Sequence, residues 1–155
     1  MNKIVSKEYF SANVIKLEVE APRIAKSRRA GHFVIIRVGE KGERIPLTIA
    51  QADIKRGTIT LVVQAVGKSS KKLAELEVGD YITDVVGPLG QSTHIEKVGT
   101  VVCAGGGVGV APLLPIVEAF HKAGNRVIVV LAARTKDLVI LEEPTPHNSD
   151  EGTTI

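Results

Sequence analysis

The chain of 155 residues has few aromatic residues and a single cysteine. Phe, Tyr and Trp together make up 3% of it, and Trp is absent. Because single-stranded nucleic acids bind largely by stacking on aromatic side chains, this composition argues against a nucleic-acid-binding role. Cys103 alone can form neither a disulfide within the chain nor the four-cysteine ligand set of an iron–sulfur cluster. Its place in an apolar run predicts a small buried residue.

Long apolar segments are also missing. The pair Ile4-Val5 is soon followed by charged residues, so it is too short for the apolar core of a signal peptide. No run approaches the ~20 residues of a membrane-spanning helix. We therefore expect a cytoplasmic protein that does not interact with membranes. The net charge of +3 is dispersed along the chain, which is typical of a solvated surface.

Short strand-like segments fill the first part of the chain. Residues 14–20 alternate, with Ile15, Leu17 and Val19 on one side and mainly polar residues on the other. A short helix is predicted over residues 69–75, and a turn at Gly87-Pro88-Leu89-Gly90. The pattern predicts a six-stranded antiparallel barrel over residues 1–95, with strands at 3–10, 14–20, 32–38, 44–50, 58–66 and 81–86.

The pattern changes after Gly99. An apolar run ends in Gly105-Gly106-Gly107-Val108-Gly109, after which Pro112 opens a helical pattern to about Lys122. Residues 127–132 form a second apolar run. This order predicts strand, turn, helix and strand, the beginning of a Rossmann-like α/β domain over residues 96–143. Such a sheet has about five or six strands, so the predicted domain is incomplete.

The glycine cluster taken alone has two interpretations. Glycines permit positive φ angles and close approach of a ligand, and the free N–H groups at a helix start can bind a pyrophosphate. The cluster does not match G-x-G-x-x-G, because Val110 stands where the third glycine would be. The alternative is a turn that merely joins a strand to a helix, and this stretch supports both equally.

Residues 144–155 have no apolar periodicity, and we expect a disordered or aberrant tail there. Because the pattern of a nucleotide domain does not continue after Glu143, we hypothesise a truncated or frame-shifted chain.

Two stretches of the predicted barrel suit a phosphate-containing ligand. In Arg44-Ile45-Pro46-Leu47-Thr48, the guanidinium suits a phosphate and the threonine hydroxyl suits a ring nitrogen. Gly67-Lys68-Ser69-Ser70 combines a glycine, two hydroxyls and a helix start, a nest of N–H groups for a pyrophosphate. Each motif alone is better explained as a strand with a surface arginine or as a serine-capped helix.

The order of the motifs changes this balance. Arg-x-Pro-Leu-Thr is followed by Gly-Lys-Ser-Ser, Gly-Pro-Leu-Gly, Gly-Gly-Gly-Val-Gly-Val-Ala-Pro and Ala-Arg-Thr-Lys-Asp-Leu. This succession resembles the ferredoxin–NADP reductase superfamily over residues 1 to about 143. The most similar subgroup contains the dihydroorotate dehydrogenase electron-transfer subunit and the sulfide dehydrogenase small subunit, also called NADH-dependent reduced ferredoxin:NADP oxidoreductase. The resemblance implies an FAD-binding barrel followed by an NAD(P)-binding domain.

The resemblance also implies roles for individual residues. Arg44 is expected to contact the FAD pyrophosphate, and Thr48 is expected to be the catalytic residue beside the reactive flavin nitrogen. The further expected FAD contacts are Pro46, Leu47, Val63, Gln64, Ala65, Gly67, Lys68, Ser69 and Ser70. The expected nicotinamide nucleotide contacts are Gly105, Gly106, Gly107, Val108, Gly109, Pro112 and Arg134. The histidines show no metal-ligand spacing, so no metal site is expected.

The function implied is that of an FAD-dependent oxidoreductase subunit, which transfers electrons between NAD(P)H, FAD and a partner flavoprotein or iron–sulfur centre. Full-length relatives carry a [2Fe-2S] cluster whose ligands this chain lacks. The implied partner is a larger flavoprotein or catalytic subunit, with ferredoxin as a further candidate. Two alternatives stay open: a non-catalytic FAD-binding fragment that has lost the nicotinamide site, and a β-barrel for another ligand. The choice between NAD and NADP is also open.

Overall fold

The computed structural model describes residues 1–133. Arg134, the rest of the predicted nucleotide domain to residue 143 and the tail at 144–155 lie outside the described residues. The elements in chain order are β1 (Asn2–Ser11), β2 (Val14–Glu20), α1 (Pro22–Ser27), β3 (Phe33–Arg37), β4 (Arg44–Asp53), β5 (Thr58–Gln64), α2 (Lys68–Ala74), β6 (Tyr81–Ile82), β7 (Asp84–Leu89), β8 (Thr100–Gly106), a 3-10 turn (Gly107–Gly109), α3 (Val110–Lys122) and β9 (Arg126–Ala132).

Seven antiparallel strands curl into a near-closed barrel in the order β6-β1-β2-β5-β4-β3-β7. The edge strands β6 and β7 are separated in the chain by Thr83 alone, so one short stretch of backbone links the two edges. Arg37 of β3 donates from Nε to Oδ2 of Asp84 at 2.6 Å and holds β7 in place. This arrangement confirms the predicted antiparallel barrel.

The strand count is seven where the sequence predicts six. The single strand expected over residues 81–86 is split, because Tyr81 pairs with Lys3 of β1 whereas Asp84 pairs with Arg37 of β3. The turn expected at residues 87–90 is largely wrong as well, since β7 continues to Leu89. An edge strand tolerates the missing N–H of a proline, which permits Pro88 there.

Branched aliphatic side chains fill the barrel, in agreement with the low aromatic content. The alternation predicted for β2 is confirmed, because Ile15, Leu17 and Val19 are at most 1% exposed. The sequence pattern missed α1, which begins at Pro22 and adds Ile24 to the core. The remaining large members of this core are Ile4, Val34, Ile36, Ile49, Ile59, Leu61, Val63, Leu73 and Ile82.

The strand–helix–strand unit predicted after Gly99 is confirmed. β8 and β9 are parallel, aligned from Thr100 beside Arg126 to Gly106 beside Ala132. α3 connects them and contacts both strands. The division of the chain at residue 95 stays a prediction. No helix within residues 1–133 is long and apolar enough to cross a membrane.

A second apolar cluster joins this unit to the barrel. Val14, Ala50 and Val62 project from the outer surface of β2, β4 and β5, and they pack against Val110 and Ala111 of α3. All five residues are at most 6% exposed. The start of α3 is therefore fixed against the barrel wall.

Asn125 fixes the connection between the two parts. Its side chain is 4% exposed. The N–H groups of Val98 and Gly99 donate to Oδ1 at 2.7 and 2.9 Å. Nδ2 donates to the carbonyl oxygens of Glu96 and Phe120, each at 3.0 Å. The segment that leads into β8 is thereby tied to the end of α3 by a fully satisfied buried amide.

Lys7 of β1 anchors the end of α2. Its side chain is 3% exposed. Nζ donates to the carbonyl oxygen of Ala74 at 2.8 Å and to Oε1 of Glu77 at 2.7 Å. Burial lowers the pKa of Lys7, but the hydrogen bonds and charge of Glu77, together with Tyr9, outweigh it and raise the pKa above its ordinary value of 10.5.

We expect the substitution Lys7→Met to lower the free energy of unfolding by about 1–2 kcal/mol near neutral pH, because the carbonyl oxygen of Ala74 and the carboxylate of Glu77 lose the donor that they share. A raised folded-state pKa means that this contribution is present below pH 10.5 and is lost as the pH rises through the folded-state value. Urea unfolding of both chains at pH 8 and pH 11 checks this. If the difference in free energy of unfolding between the two chains is the same at pH 11 as at pH 8, the stabilising role of the charged Lys7 side chain is wrong.

Candidate functional site

The outer face of β4 carries the first predicted motif. Ile45 and Leu47 pack against the barrel core, so strand alternation puts Arg44, Pro46 and Thr48 on the outside. Arg44 has no ion-pair partner within residues 1–133. Four residues of strand place it about 13 Å from Thr48 along β4. This spacing fits a ligand with a phosphate at one end and a ring system at the other.

The last residues of β5 approach the same face. β5 runs antiparallel to β4 and pairs with it as far as Leu61 opposite Ile49, so the chain beyond Leu61 runs in the direction of the first half of β4. Gln64 is exposed there, and Ala65 is half-buried. Val63 is 1% exposed within the barrel core. Of the predicted flavin contacts, Val63 and Leu47 therefore direct their side chains toward the core. Val63 offers only its backbone to a ligand, whereas Leu47 is partly buried.

The start of α2 lies beside Arg44. Ser69 Oγ donates to Oε2 of Glu43 at 2.7 Å, and Glu43 directly precedes Arg44. The Ser70 hydroxyl is engaged locally, since it accepts from the N–H of Gly67 and donates to the carbonyl oxygen of Gly67, both at 3.0 Å. Exposed Lys68 adds positive charge. The structure thus brings together the two motifs that the sequence predicts for a pyrophosphate.

The glycines of the turn after β8 differ in what surrounds them. A Cβ on Gly105 would lie 2.9 Å from Cδ2 of Leu113, so this glycine permits close packing of α3 on β8. Gly107 has a φ of +54°, which favours glycine. Gly109 has an ordinary φ of −63°, and an added Cβ would meet no atom within 4 Å. A side chain at Gly109 would fill open space in which a ligand can lie against the backbone.

The glycine turn lies next to the outer face of β4. Val108 packs on the cluster that contains Ala50 and Val62, and the turn contacts β5. Ala50 lies two residues beyond Thr48. Pro112 is half-buried in the first turn of α3. The predicted flavin face and the predicted nicotinamide turn are therefore neighbours, an arrangement that suits transfer between two bound ring systems.

Among the described residues, neither the cysteine nor the potential metal ligands form a second reactive site. Burial raises the pKa of the Cys103 thiol, so this side chain is protonated and unreactive at neutral pH. Within residues 1–133, no group of three or more His, Cys, Asp and Glu side chains could hold a metal ion. Arg134, a predicted nucleotide contact, lies outside the described residues.

An antiparallel barrel followed by a strand–helix–strand unit, with the glycine turn against the barrel, is the architecture of flavin-dependent reductases of the ferredoxin–NADP reductase type. Residues 2–94 match the family described as oxidoreductase FAD-binding domain. The chain belongs to this family, which supports FAD as the ligand of the barrel.

Similar proteins agree with this assignment. Thermotoga maritima has a dihydroorotate dehydrogenase B (NAD(+)) electron transfer subunit homolog that is 45% identical over 150 residues, covering 97% of this chain and 53% of that protein. An uncharacterized protein in the adh 3′ region of Clostridium beijerinckii is 48% identical over 150 residues, and the match covers 92% of this chain and 51% of that protein. The chain spans about half the length of the curated relatives it matches.

Solved structures show the same fold. The structure of an NADH-dependent reduced ferredoxin–NADP oxidoreductase, described for flavin-based electron bifurcation, has a TM-score of 0.89 and 45% identity, covering 92% of this chain and 52% of that one. Phthalate dioxygenase reductase is 20% identical and has a TM-score of 0.75, and the match covers 90% of this chain and 45% of that one.

Proposed function

We propose that this chain is the FAD-binding part of a cytoplasmic oxidoreductase subunit that transfers electrons between NAD(P)H, FAD and a partner flavoprotein or iron–sulfur centre. The observation that carries the proposal is the contact of the glycine turn with the barrel wall two residues from Thr48. The match to an FAD-binding family supports it. The names of the relatives, which include an electron transfer subunit and an NADH-dependent oxidoreductase, support a role in electron transfer.

The flavin would lie along the outer face of β4. The Arg44 guanidinium, the Gly67 to Ser70 stretch and the charge of Lys68 would hold its pyrophosphate. Pro46 would contact the ring plane, and the Thr48 hydroxyl would hydrogen-bond the reactive ring nitrogen. Bound FAD supplies the redox chemistry, since a flavin exchanges a hydride with a nicotinamide. Gln64 and Ala65, with the backbone of Leu47 and Val63, would border the ring.

The nicotinamide nucleotide would lie over the glycine turn. The open space at Gly107 and Gly109 supports this placement, because a phosphate can approach the backbone there. Gly105, Gly106, Val108 and Pro112 would shape the cradle, and we propose Arg134 as a further contact with the ribose or phosphate. The partner would be a larger flavoprotein or catalytic subunit, with ferredoxin as a second candidate and a [2Fe-2S] cluster as the centre between them.

One observation favours a second candidate, a non-catalytic FAD-binding fragment. In the described part of the chain the parallel sheet has two strands. Ile128, Val129 and Val130 of β9 are 41–51% exposed, although apolar strands of such domains are normally covered on both faces. Within the described residues, this exposure is the observation that favours an FAD-binding fragment over a complete nicotinamide site.

Reduction of the FAD-loaded chain by NADH under anaerobic conditions tests the proposal. We expect a flavin absorption spectrum that bleaches when NADH is added. A flavin spectrum that does not bleach would favour the non-catalytic fragment. Failure to take up FAD on reconstitution would contradict both.

A further inference from the structure

β4 contains a bulge next to the proposed flavin face. The register with β5 shifts between Ile49, opposite Leu61, and Gln51, opposite Thr60. A bulge places two successive side chains on one side of a strand. Both Ala50 and Gln51 therefore face outward toward α3. The side chains of β4 that pack on the barrel core show the same shift. Ile45, Leu47 and Ile49 follow the usual spacing of two residues, whereas the next core residue, Ala52, comes three residues after Ile49.

These two outward side chains make different contacts with α3. Ala50 is 1% exposed and packs in the apolar cluster with Val110 and Ala111. Gln51 donates from Nε2 to Oε1 of Glu118 at 3.3 Å. Glu118 lies seven residues after Ala111, two turns further along the same helix face. The helix is thus fixed to β4 by an apolar contact near its start and by a directional hydrogen bond further on.

A carboxylate is an unexpected residue for this helix face. Ala111 and Pro115 on the same face are buried, and the spacing predicts an apolar residue at 118. Glu118 is half-buried instead, and it lies near the half-buried guanidinium of Arg28. Burial lowers the pKa of Arg28, and the charge of Glu118 opposes that effect. The Glu118 carboxylate therefore accepts a hydrogen bond from Gln51 of β4 and lies within the electrostatic influence of Arg28, which follows α1.

We propose that Gln51 and Glu118 are positioning residues that set the separation between the outer face of β4 and the glycine turn. The proposal rests on the proposed function, because that separation matters only if two ring systems meet there. Thr48 lies three residues before Gln51 on β4, and Gly109 directly precedes α3. Without the hydrogen bond α3 can rotate about its apolar contact, which moves the glycine turn relative to Thr48. A displacement of about 1 Å can slow a transfer step by ~100-fold.

The test uses the FAD-loaded chain and three variants. Glu118→Ala removes the hydrogen bond with Gln51 and the negative charge near Arg28, and Glu118→Gln keeps an acceptor for Gln51. His121→Ala, an exposed change on the same helix, is the matched control. We expect Glu118→Ala to lower the limiting rate of flavin reduction by NADH about 10- to 100-fold, with the affinity for FAD unchanged. Glu118→Gln should recover most of the rate, and the control should match the unmodified chain.

A limiting rate for Glu118→Ala equal to that of the unmodified chain would overturn the proposal. A parallel loss of FAD affinity would also overturn it, because that indicates a general structural role. If NADH does not reduce even the unmodified chain, the proposed function fails. Hydrogen exchange then tests separately whether the Gln51–Glu118 hydrogen bond holds α3 on the barrel. Faster exchange of the α3 amides in Glu118→Ala, with barrel amides unchanged, supports the part of the proposal that the Gln51–Glu118 hydrogen bond fixes α3 on the barrel, whereas identical exchange of α3 overturns it.

Discussion

Substitution of Arg44 by alanine is expected to weaken FAD binding about 10- to 100-fold. A charge-assisted contact with a phosphate contributes about 1.5–3 kcal/mol, and each 1.4 kcal/mol corresponds to about tenfold in affinity. Arg44 is exposed at the start of β4, and the Ser69–Glu43 hydrogen bond holds the start of α2 beside it. Titration of the flavin-free chain with FAD, followed by flavin fluorescence, measures the change.

The control for this prediction is Arg23→Ala. Arg23 is an exposed arginine of α1, outside the proposed site, so its loss should leave FAD affinity unchanged. Neither substitution should alter the free energy of unfolding by more than about 0.5 kcal/mol. Arg44→Lys should give an intermediate affinity, because an ammonium keeps the charge but not the bidentate geometry. Equal FAD affinity for Arg44→Ala and the unmodified chain would refute the role of Arg44.

Gly109→Ala is expected to raise the NADH concentration for half-maximal flavin reduction about tenfold or more. The added methyl group meets no protein atom within 4 Å, and the φ of −63° suits alanine, so the fold should be retained. The methyl group would occupy the space in which the nucleotide is proposed to lie, and such overpacking costs about 1–3 kcal/mol. Stopped-flow reduction of the FAD-loaded variant over a range of NADH concentrations measures the effect.

Gly105→Ala is the matched comparison. Its methyl group would lie 2.9 Å from Leu113 Cδ2, so we expect lower thermal stability as the main effect. The pair separates a glycine at which an added methyl group meets the packed helix from one at which it meets only the space proposed for the ligand. Unchanged half-saturation for Gly109→Ala would mean that the nucleotide does not bind over the glycine turn.

Much of the architecture is predictable from local patterns. Alternation within β2 and the apolar run of β5 identify barrel strands, and the run of glycines identifies the turn before α3. The split between β6 and β7 is not readable locally, because it depends on which distant strands Tyr81 and Asp84 pair with. The sequence pattern does not predict α1, because Pro22 is interpreted there as the end of a strand. Proline also suits the first position of a helix, which is where the structure places it.

The resemblance to the reductase superfamily cannot by itself assign ligand contacts, because the direction of each side chain also matters. Leu47 stands between Pro46 and Thr48 in the predicted motif, but strand alternation turns it into the barrel core. The order of the motifs predicts which stretches approach the ligand, whereas the pleat of β4 decides which side chains face it.

The contacts between barrel and α3 could not be predicted for a different reason. The bulge at Ala50 is defined by the pairing of β4 with β5, and the Val98 N–H that donates to Asn125 lies 27 residues earlier in the chain, so neither contact is visible in a local sequence pattern. One sequence signal for Glu118 does exist, since its spacing from Ala111 and Pro115 puts a charge on the buried face of a helix.

The central claim is that the outer face of β4 binds the flavin within reach of the glycine turn. A crystal structure of the chain with FAD tests it most directly. We expect the pyrophosphate beside Arg44 and Ser69, and the isoalloxazine ring over Pro46 with its reactive nitrogen at the Thr48 hydroxyl. A flavin bound elsewhere on the barrel, or a ring turned away from the glycine turn, would refute the proposed flavin site.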